Sequence, residues 1–218
     1  IDRKEIINDT WAQSEKGNGT CVGRPVPGTE IKIIQILEEP ILKWEDDLEV
    51  PKGQIGEIIV KAPWVTKTYF NRKDVTPLAK IPDGDTFWHR MGDVGKWDEQ
   101  NRLWFCGRKS HRVITSSETL FTIPCEALFN QHPDVKRSAL VGKGPGSHRE
   151  PIIIIEPENK NRVADNREVF IQELLEISAS SSHTRSIKKV LFYPGFPVDV
   201  RHNAKIFREK LAAWAEDQ

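Results

Sequence analysis

Leu103-Trp104-Phe105-Cys106-Gly107-Arg108-Lys109 is the stretch on which the fold turns, because it closes a β-rich first half and opens a segment of different character. Just upstream, Lys96-Trp97 matches Leu103-Trp104-Phe105 across Asp98-Glu99-Gln100-Asn101, a run of polar turn formers, and this predicts a hairpin. Glu30 to Leu37 and Gln54 to Lys61 are β-branched and alternating, as half-buried strands are. Stiff turns precede them at Gly23-Arg24-Pro25-Val26-Pro27-Gly28 and Pro51-Lys52-Gly53. The opening residues, through Gly17-Asn18-Gly19-Thr20, read as loop.

Beyond Lys109 strands and helices alternate. A short strand is expected around Arg112 to Thr115, then a helix opening near Pro124, since proline is tolerated in a first helical turn. Arg137 to Gly142, Pro151 to Glu156 and Lys188 to Tyr193 read as strands, and Phe170, Leu174 and Ile177 give Arg167 to Ile177 helical spacing. Asn159 to Arg167 reads as a charged connector and Ser178 to Ser182 as a serine-rich bend. From Asn203 the residues Phe207, Leu211 and Trp214 lay one apolar stripe along a terminal helix. The expected architecture is α+β, with a β-rich subdomain over residues 1–108 and a small α+β domain over 109–218.

Composition narrows the function. Thirty-two basic residues balance 32 acidic ones, so the broad basic field that nonspecific nucleic-acid or anionic-membrane binding requires is missing. The longest aliphatic run, Ile152 to Ile155, is far short of a bilayer span, and a soluble, cytoplasmic setting is expected. Cys21, Cys106 and Cys125 are far apart and form no Cys-x-x-Cys pair, so they read as small buried hydrophobes. No two of the six histidines stand at the i, i+4 spacing that binds zinc, and no metal site is expected. Gly142-Lys143-Gly144-Pro145-Gly146-Ser147 lacks the Gly-Lys-Ser/Thr ending of a phosphate loop, and no Gly-x-Ser-x-Gly elbow supports a hydrolase.

Three charged residues stand out. Asp93 follows Gly92 and precedes the hairpin, so its carboxylate is expected to project from a turn, where two acceptor oxygens suit adjacent ribose hydroxyls; the plain alternative is that Gly92-Asp93 only shapes the turn. Arg108 offers a planar fork of donors for phosphate or ribose oxygens, or else is a solvated strand-end arginine. Asn203 as N-cap would put Lys205 in the first turn of the terminal helix, where a cation opposes the helix dipole unless an anion docks beside it; the alternative is a solvated lysine on a polar helix face.

Taken together, Gly56-Glu57-Ile58, Tyr69-Phe70-Asn71, Gly92-Asp93-Val94-Gly95, Leu103 to Lys109, Pro124-Cys125-Glu126, His132-Pro133-Asp134-Val135 and the Lys205 region resemble the adenylate-forming, AMP-binding enzyme superfamily in order and spacing across nearly the whole chain. Pro197 to Ile206, with Arg137 to Gly142, is similar to its olefin β-lactone synthetase branch, also described as fatty acyl ligases. The resemblance implies that Asp93 holds the ribose hydroxyls, Arg108 touches ribose or phosphate, and Lys205 binds the substrate carboxylate and α-phosphate as they join. It also implies ATP as cosubstrate, Mg2+ assistance, and Lys109 as the hinge on which the small domain swings.

Two departures bear on chemistry. Met91-Gly92-Asp93 and Ala204-Lys205 stand where the superfamily commonly has Thr-Gly-Asp and Gly-Lys, and Ser116-Ser117-Glu118-Thr119 replaces a glycine-bearing loop that coenzyme A ligases often use. The superfamily's Ser/Thr/Gly-rich phosphate loop is not found in the chain, so the expectation is a C-terminal fragment, inactive alone, whose partner is the missing N-terminal portion of the same enzyme. The resemblance implies an AMP-forming enzyme that activates a long-chain β-hydroxy fatty acid and closes it to a β-lactone. The alternatives are a long-chain acyl-CoA ligase, with CoA as acceptor, and a noncatalytic binding module that retains the fold.

Overall fold

The computed structural model describes residues 1–69, 74–199 and 201–218, with the side chains of 160 and 202–204 excepted. Phe70 and Asn71 of the Tyr69 motif, and Val200, lie outside the described residues. The architecture is α+β, and the chain divides into two compact units, Ile1–Trp11 with Gly19–Ser110, and Ala12–Asn18 with His111–Gln218.

The first unit is built on a six-stranded sheet. Its strands are β1 (Thr20–Gly23), β2 (Glu30–Ile34), β3 (Gly56–Lys61), β4 (Lys80–Asp83), β5 (Thr86–Trp97) and β6 (Leu103–Arg108). They run in the order β1-β6-β5-β3-β2, with β4 paired to β5. Side chains alternate between the two faces of a strand, and this separates two apolar clusters. Ile34, Ile59, Ile81 and Trp88 pack on one face, while Ile33, Ile58 and Leu103 gather on the other. The expected hairpin is β5–β6, with Trp97 opposite Leu103. Its turn is held by Asp98, whose carboxylate accepts the N–H of Gln100 at 3.0 Å and of Arg102 at 2.8 Å. Gly95 permits close pairing, because a Cβ there would lie 2.4 Å from the Trp104 carbonyl oxygen.

The second unit contains β7 (Val113–Ile114), β8 (Thr119–Leu120), β9 (Val135–Lys143), β10 (Glu150–Pro157), β11 (Lys189–Phe192), β12 (Val198–Asp199) and β13 (His202–Ile206). Its central sheet has the order β11-β10-β9, antiparallel between β9 and β10 and parallel between β10 and β11. The long crossover helix Lys160–Ala179 makes the parallel connection. Ile152 to Ile155 are all fully buried, as a strand covered on both faces must be. Ile153 and Ile155 join Cys125, Phe129, Phe170 and Leu174 on one side; Ile152 and Ile154 join Leu211 and Ala215 on the other.

Two expectations fail locally. The opening residues form short helical turns from Arg3 to Asn18 instead of loop, broken at Gly17 with φ 84°. The charged connector 159–167 is helical from Lys160, because Asn159 caps it by accepting the Asn161 N–H and Arg162 is tied to Asp134 at 2.9 Å and Glu173 at 2.6 Å. The helix breaks at Asn166, with φ −141° and ψ 40°. Among the described residues no helix is long and apolar enough to cross a membrane.

Candidate active site

Asp93 does not project from a turn, as expected, but sits within strand β5 at a bulge. Across β3–β5 the register passes from Ile59↔Arg90 to Glu57↔Val94, so Met91-Gly92-Asp93 face the single residue Ile58. The extra residues need somewhere to go, and Gly92 takes the left-handed conformation, φ 69°, that side-chain-bearing residues avoid. The bulge re-aims Asp93. Its register partner on β6 is Arg108, whose Nη1 lies 3.0 Å from Asp93 Oδ1 and donates a second, long contact to the Met91 carbonyl at 3.4 Å.

Asp93 Oδ1 is buried, and the Arg108 guanidinium at 3.0 Å is its close polar neighbour among the described residues. Burial pushes the Asp93 carboxyl above its ordinary range, with the Arg108 charge only partly opposing it. A desolvated acceptor beside an exposed guanidinium fork suits a ligand that carries both hydroxyl donors and negative charge.

Lys109 is held differently. Its ammonium lies 3.1 Å from Glu57 Oε2, 4.0 Å from Glu38, and donates to the Leu37 carbonyl. Glu57 is itself fully buried against Arg90, whose Nη2 is 2.7 Å from Glu57 Oε2 while Nη1 donates to the Glu39 carbonyl at 2.9 Å. Glu57 thus receives two cations, and Lys109, at the start of the turn Lys109–His111, is anchored within the first unit.

Lys205 belongs to the second unit and lies on β13, not in a helix. The terminal helix runs Arg208–Glu216 with Phe207 at its N-cap and no side-chain cap bond, so Asn203 is not the cap. The reason is pairing: Val198 opposes Ile206 across β12–β13, and the Phe207 N–H bonds the Pro197 carbonyl at 2.9 Å, which draws the residues before Arg208 into a hairpin. The argument from helix dipole to Lys205 therefore lapses. Its exposed side chain is instead felt by Asp199, whose carboxyl is held below the ordinary range chiefly by the Arg201 side chain and backbone N–H, with Lys205 adding to the effect.

The structure brings Asp93 and Arg108 together and fixes Lys109 to Glu57. Sequence reading quoted Glu57 and Glu126 within motifs but missed their ion-pair partners, Arg90 and Arg208. Cys106 and Cys125 are buried as expected, with burial pushing the Cys106 thiol up to about 12, whereas Cys21 is only half-buried.

The chain is 44% identical to an olefin β-lactone synthetase of Xanthomonas campestris pv. campestris over 97% of its length, covering 39% of that protein. This chain belongs to the adenylate-forming superfamily. It is 35% identical over 61% of its length to a long-chain-fatty-acid–CoA ligase of Escherichia coli O6:H1, covering 21% of that enzyme. The fold matches that of o-succinylbenzoate CoA synthetase from Bacillus subtilis, solved with its acyl-adenylate intermediate, with a TM-score of 0.71 and 21% identity over 97% of this chain and 37% of that one. No family model matches the chain. The chain spans about two fifths of the length of the β-lactone synthetases it matches.

Proposed function

We propose that this chain is part of an ATP-dependent, AMP-forming enzyme that activates a long-chain β-hydroxy fatty acid and closes it to a β-lactone. The observation that carries the reading is the 44% identity to a β-lactone synthetase across 97% of the chain. The residues suit the nucleotide: the partly exposed Asp93 carboxylate supplies an acceptor for a ribose hydroxyl, and Arg108 supplies donors for ribose or phosphate oxygens. In this reading residues 1–108 belong to the AMP-binding domain and 109–218 form the small mobile one, with Lys109 as hinge.

The chemistry has two steps. A substrate carboxylate oxygen attacks the α-phosphorus of ATP, forming the acyl-adenylate as pyrophosphate leaves. The Lys205 ammonium offsets negative charge gathering between carboxylate and phosphate, which favours the transition state over the separated reactants. The substrate's β-hydroxyl oxygen then attacks the acyl carbon, its proton passing to a base and AMP leaving with the acyl bond's electrons. Magnesium accompanies the triphosphate in this reading and is assigned no ligand in this chain.

A second reading, a long-chain acyl-CoA ligase, draws on the 35% identity to the Escherichia coli enzyme. The Ser116-Ser117-Glu118-Thr119 segment weighs against it: Thr115 Oγ1 accepts the Ser117 and Glu118 N–H groups, closing a tight turn between β7 and β8 without glycine. The test is to incubate the full-length enzyme with ATP and a β-hydroxy fatty acid, with and without coenzyme A. Lactone and AMP forming without coenzyme A is the expected result; a coenzyme A thioester with no lactone overturns it.

A further inference from the structure

A well-enclosed charge contact in the second unit lies three residues from Lys205 in sequence. Arg208, the first residue of the terminal helix, grips Glu126 with both arms: Nη1 to Oε1 at 2.5 Å and Nη2 to Oε2 at 2.8 Å. Glu126, on the helix Thr122–Phe129, is buried, and its Oε1 also accepts the Leu140 N–H from β9 at 2.8 Å. Burial pushes its carboxyl above the ordinary range even against the Arg208 charge. One carboxylate therefore locks a helix, a sheet strand and the start of the terminal helix into a single cluster.

Stability alone is a poor account of this pair. A cation in the first helical turn faces the positive end of the helix dipole, and a buried ion pair often does no better than apolar residues of the same volume. What a bidentate fork supplies is direction. The terminal helix has no side-chain N-cap bond, so its start is held by both the Phe207 N–H bond to the Pro197 carbonyl and the Arg208 fork. On the other flank, Ile206 opposes Val198 and packs into the apolar cluster around Ile152 and Ile154. Ile206 is turned inward while Lys205 is exposed, and Lys205 lies in the irregular stretch of β13 between the pairs Val198↔Ile206 and Asp199↔His202, so its direction depends on how firmly the Ile206 end is held.

We propose that Glu126 and Arg208 are a positioning pair for Lys205: they fix the register of β13 where it enters the terminal helix, and so the face from which the Lys205 ammonium emerges. The inference rests on the reading of Lys205 as the group that meets the forming acyl-phosphate. Arg208→Lys keeps the charge but loses the fork, and Glu126→Gln keeps the shape but loses the charge.

The experiment is single-turnover acyl-adenylate formation by the full-length enzyme at saturating ATP and acid, comparing Glu126→Gln, Arg208→Lys, Arg208→Gln, the double Gln variant and Lys205→Ala. Thermal unfolding of each sets the folded fraction. Misplacing a reacting group by about 1 Å costs on the order of 100-fold, so Glu126→Gln and Arg208→Lys are each expected to lower the rate per folded molecule by about 10- to 100-fold. The KM for ATP should stay within about twofold, and the double Gln variant should be no slower than the slower single one, because the two side chains act as a unit. A wild-type rate per folded molecule for Arg208→Lys, which keeps the charge and is the variant best able to fold, overturns the inference. If Glu126→Gln and Arg208→Lys are wild-type while Lys205→Ala is slow, the positioning role falls and the role of Lys205 stands. A wild-type rate for Lys205→Ala overturns both.

Discussion

Asp93–Arg108 and Glu126–Arg208 are the same chemical pair in two settings, and the difference separates a pair proposed to receive a ligand from one proposed to keep a shape. In the first, Arg108 is 56% exposed, Asp93 is 23% exposed, and a single guanidinium nitrogen approaches the carboxylate, at 3.0 Å from Oδ1. In the second, Arg208 is 13% and Glu126 7% exposed, and both carboxylate oxygens are committed to Arg208, one of them also to Leu140. The open pair holds its carboxylate at a desolvation cost, which under the proposed function a ribose hydroxyl relieves. The closed pair has no capacity left for a ligand, so its effect is on the backbone it ties together.

Removing one partner from each pair sharpens the contrast. Glu126→Ala leaves the largely buried Arg208 guanidinium without its partner, and breaking a buried pair costs up to roughly 3–5 kcal/mol. A domain of this size shifts its melting point by about 2–4 °C per kcal/mol, so a fall of several degrees is expected in calorimetry. Arg108→Ala removes an exposed pair worth roughly 0–1 kcal/mol and should barely move the same transition. Equal losses for the two variants would erase the distinction. On ligand binding the order reverses: Asp93→Ala removes an ionised acceptor worth roughly 1.5–3 kcal/mol per hydrogen bond. Titration calorimetry of the full-length protein with ATP should then show about 10- to 100-fold weaker binding, while an unchanged affinity would remove Asp93 from the ribose site.

How much of this was legible in the sequence follows the range of the contacts. The β5–β6 hairpin was readable because its signal is local: aromatic and apolar strand residues flank a loop whose Asp98 closes the turn on its own neighbours. Asp93 and Arg108 were each identified, but the bulge that aims Asp93 depends on how β5 pairs with β3, and register is not written in β5 alone. Asn203 before an apolar stripe is a sound local helix signal. It lost to strand pairing with residues 197–199, a tertiary preference outweighing a cap worth about 1 kcal/mol. Glu57 with Arg90 and Glu126 with Arg208 are separated by 33 and 82 positions, and a charge in an apolar segment reads as surface until its partner is known.

The smallest expected effect is the most discriminating for the open pair. A carboxyl whose folded pKa is raised favours the folded state fully below the unfolded pKa, near 4 for aspartate, and loses that contribution as pH rises through the folded value. Burial raises the Asp93 carboxyl above its ordinary range, so at neutral pH its ionised form weighs against folding in the absence of ligand. Asp93→Asn removes the charge without changing the shape. In nucleotide-free full-length protein it should therefore melt slightly higher than wild type at pH 7, by no more than about 2 °C given solvent screening at this partly exposed pair. The gap should close as pH falls toward about 4, because wild-type Asp93 is then protonated and the remaining carboxylates titrate alike in both proteins. A lower melting point for Asp93→Asn at pH 7 would mean that the Arg108 contact outweighs burial and that Asp93 is already satisfied without a ligand. The open pair would then be a structural contact like the closed one, and the case for a ribose hydroxyl at Oδ1 would lose its physical basis.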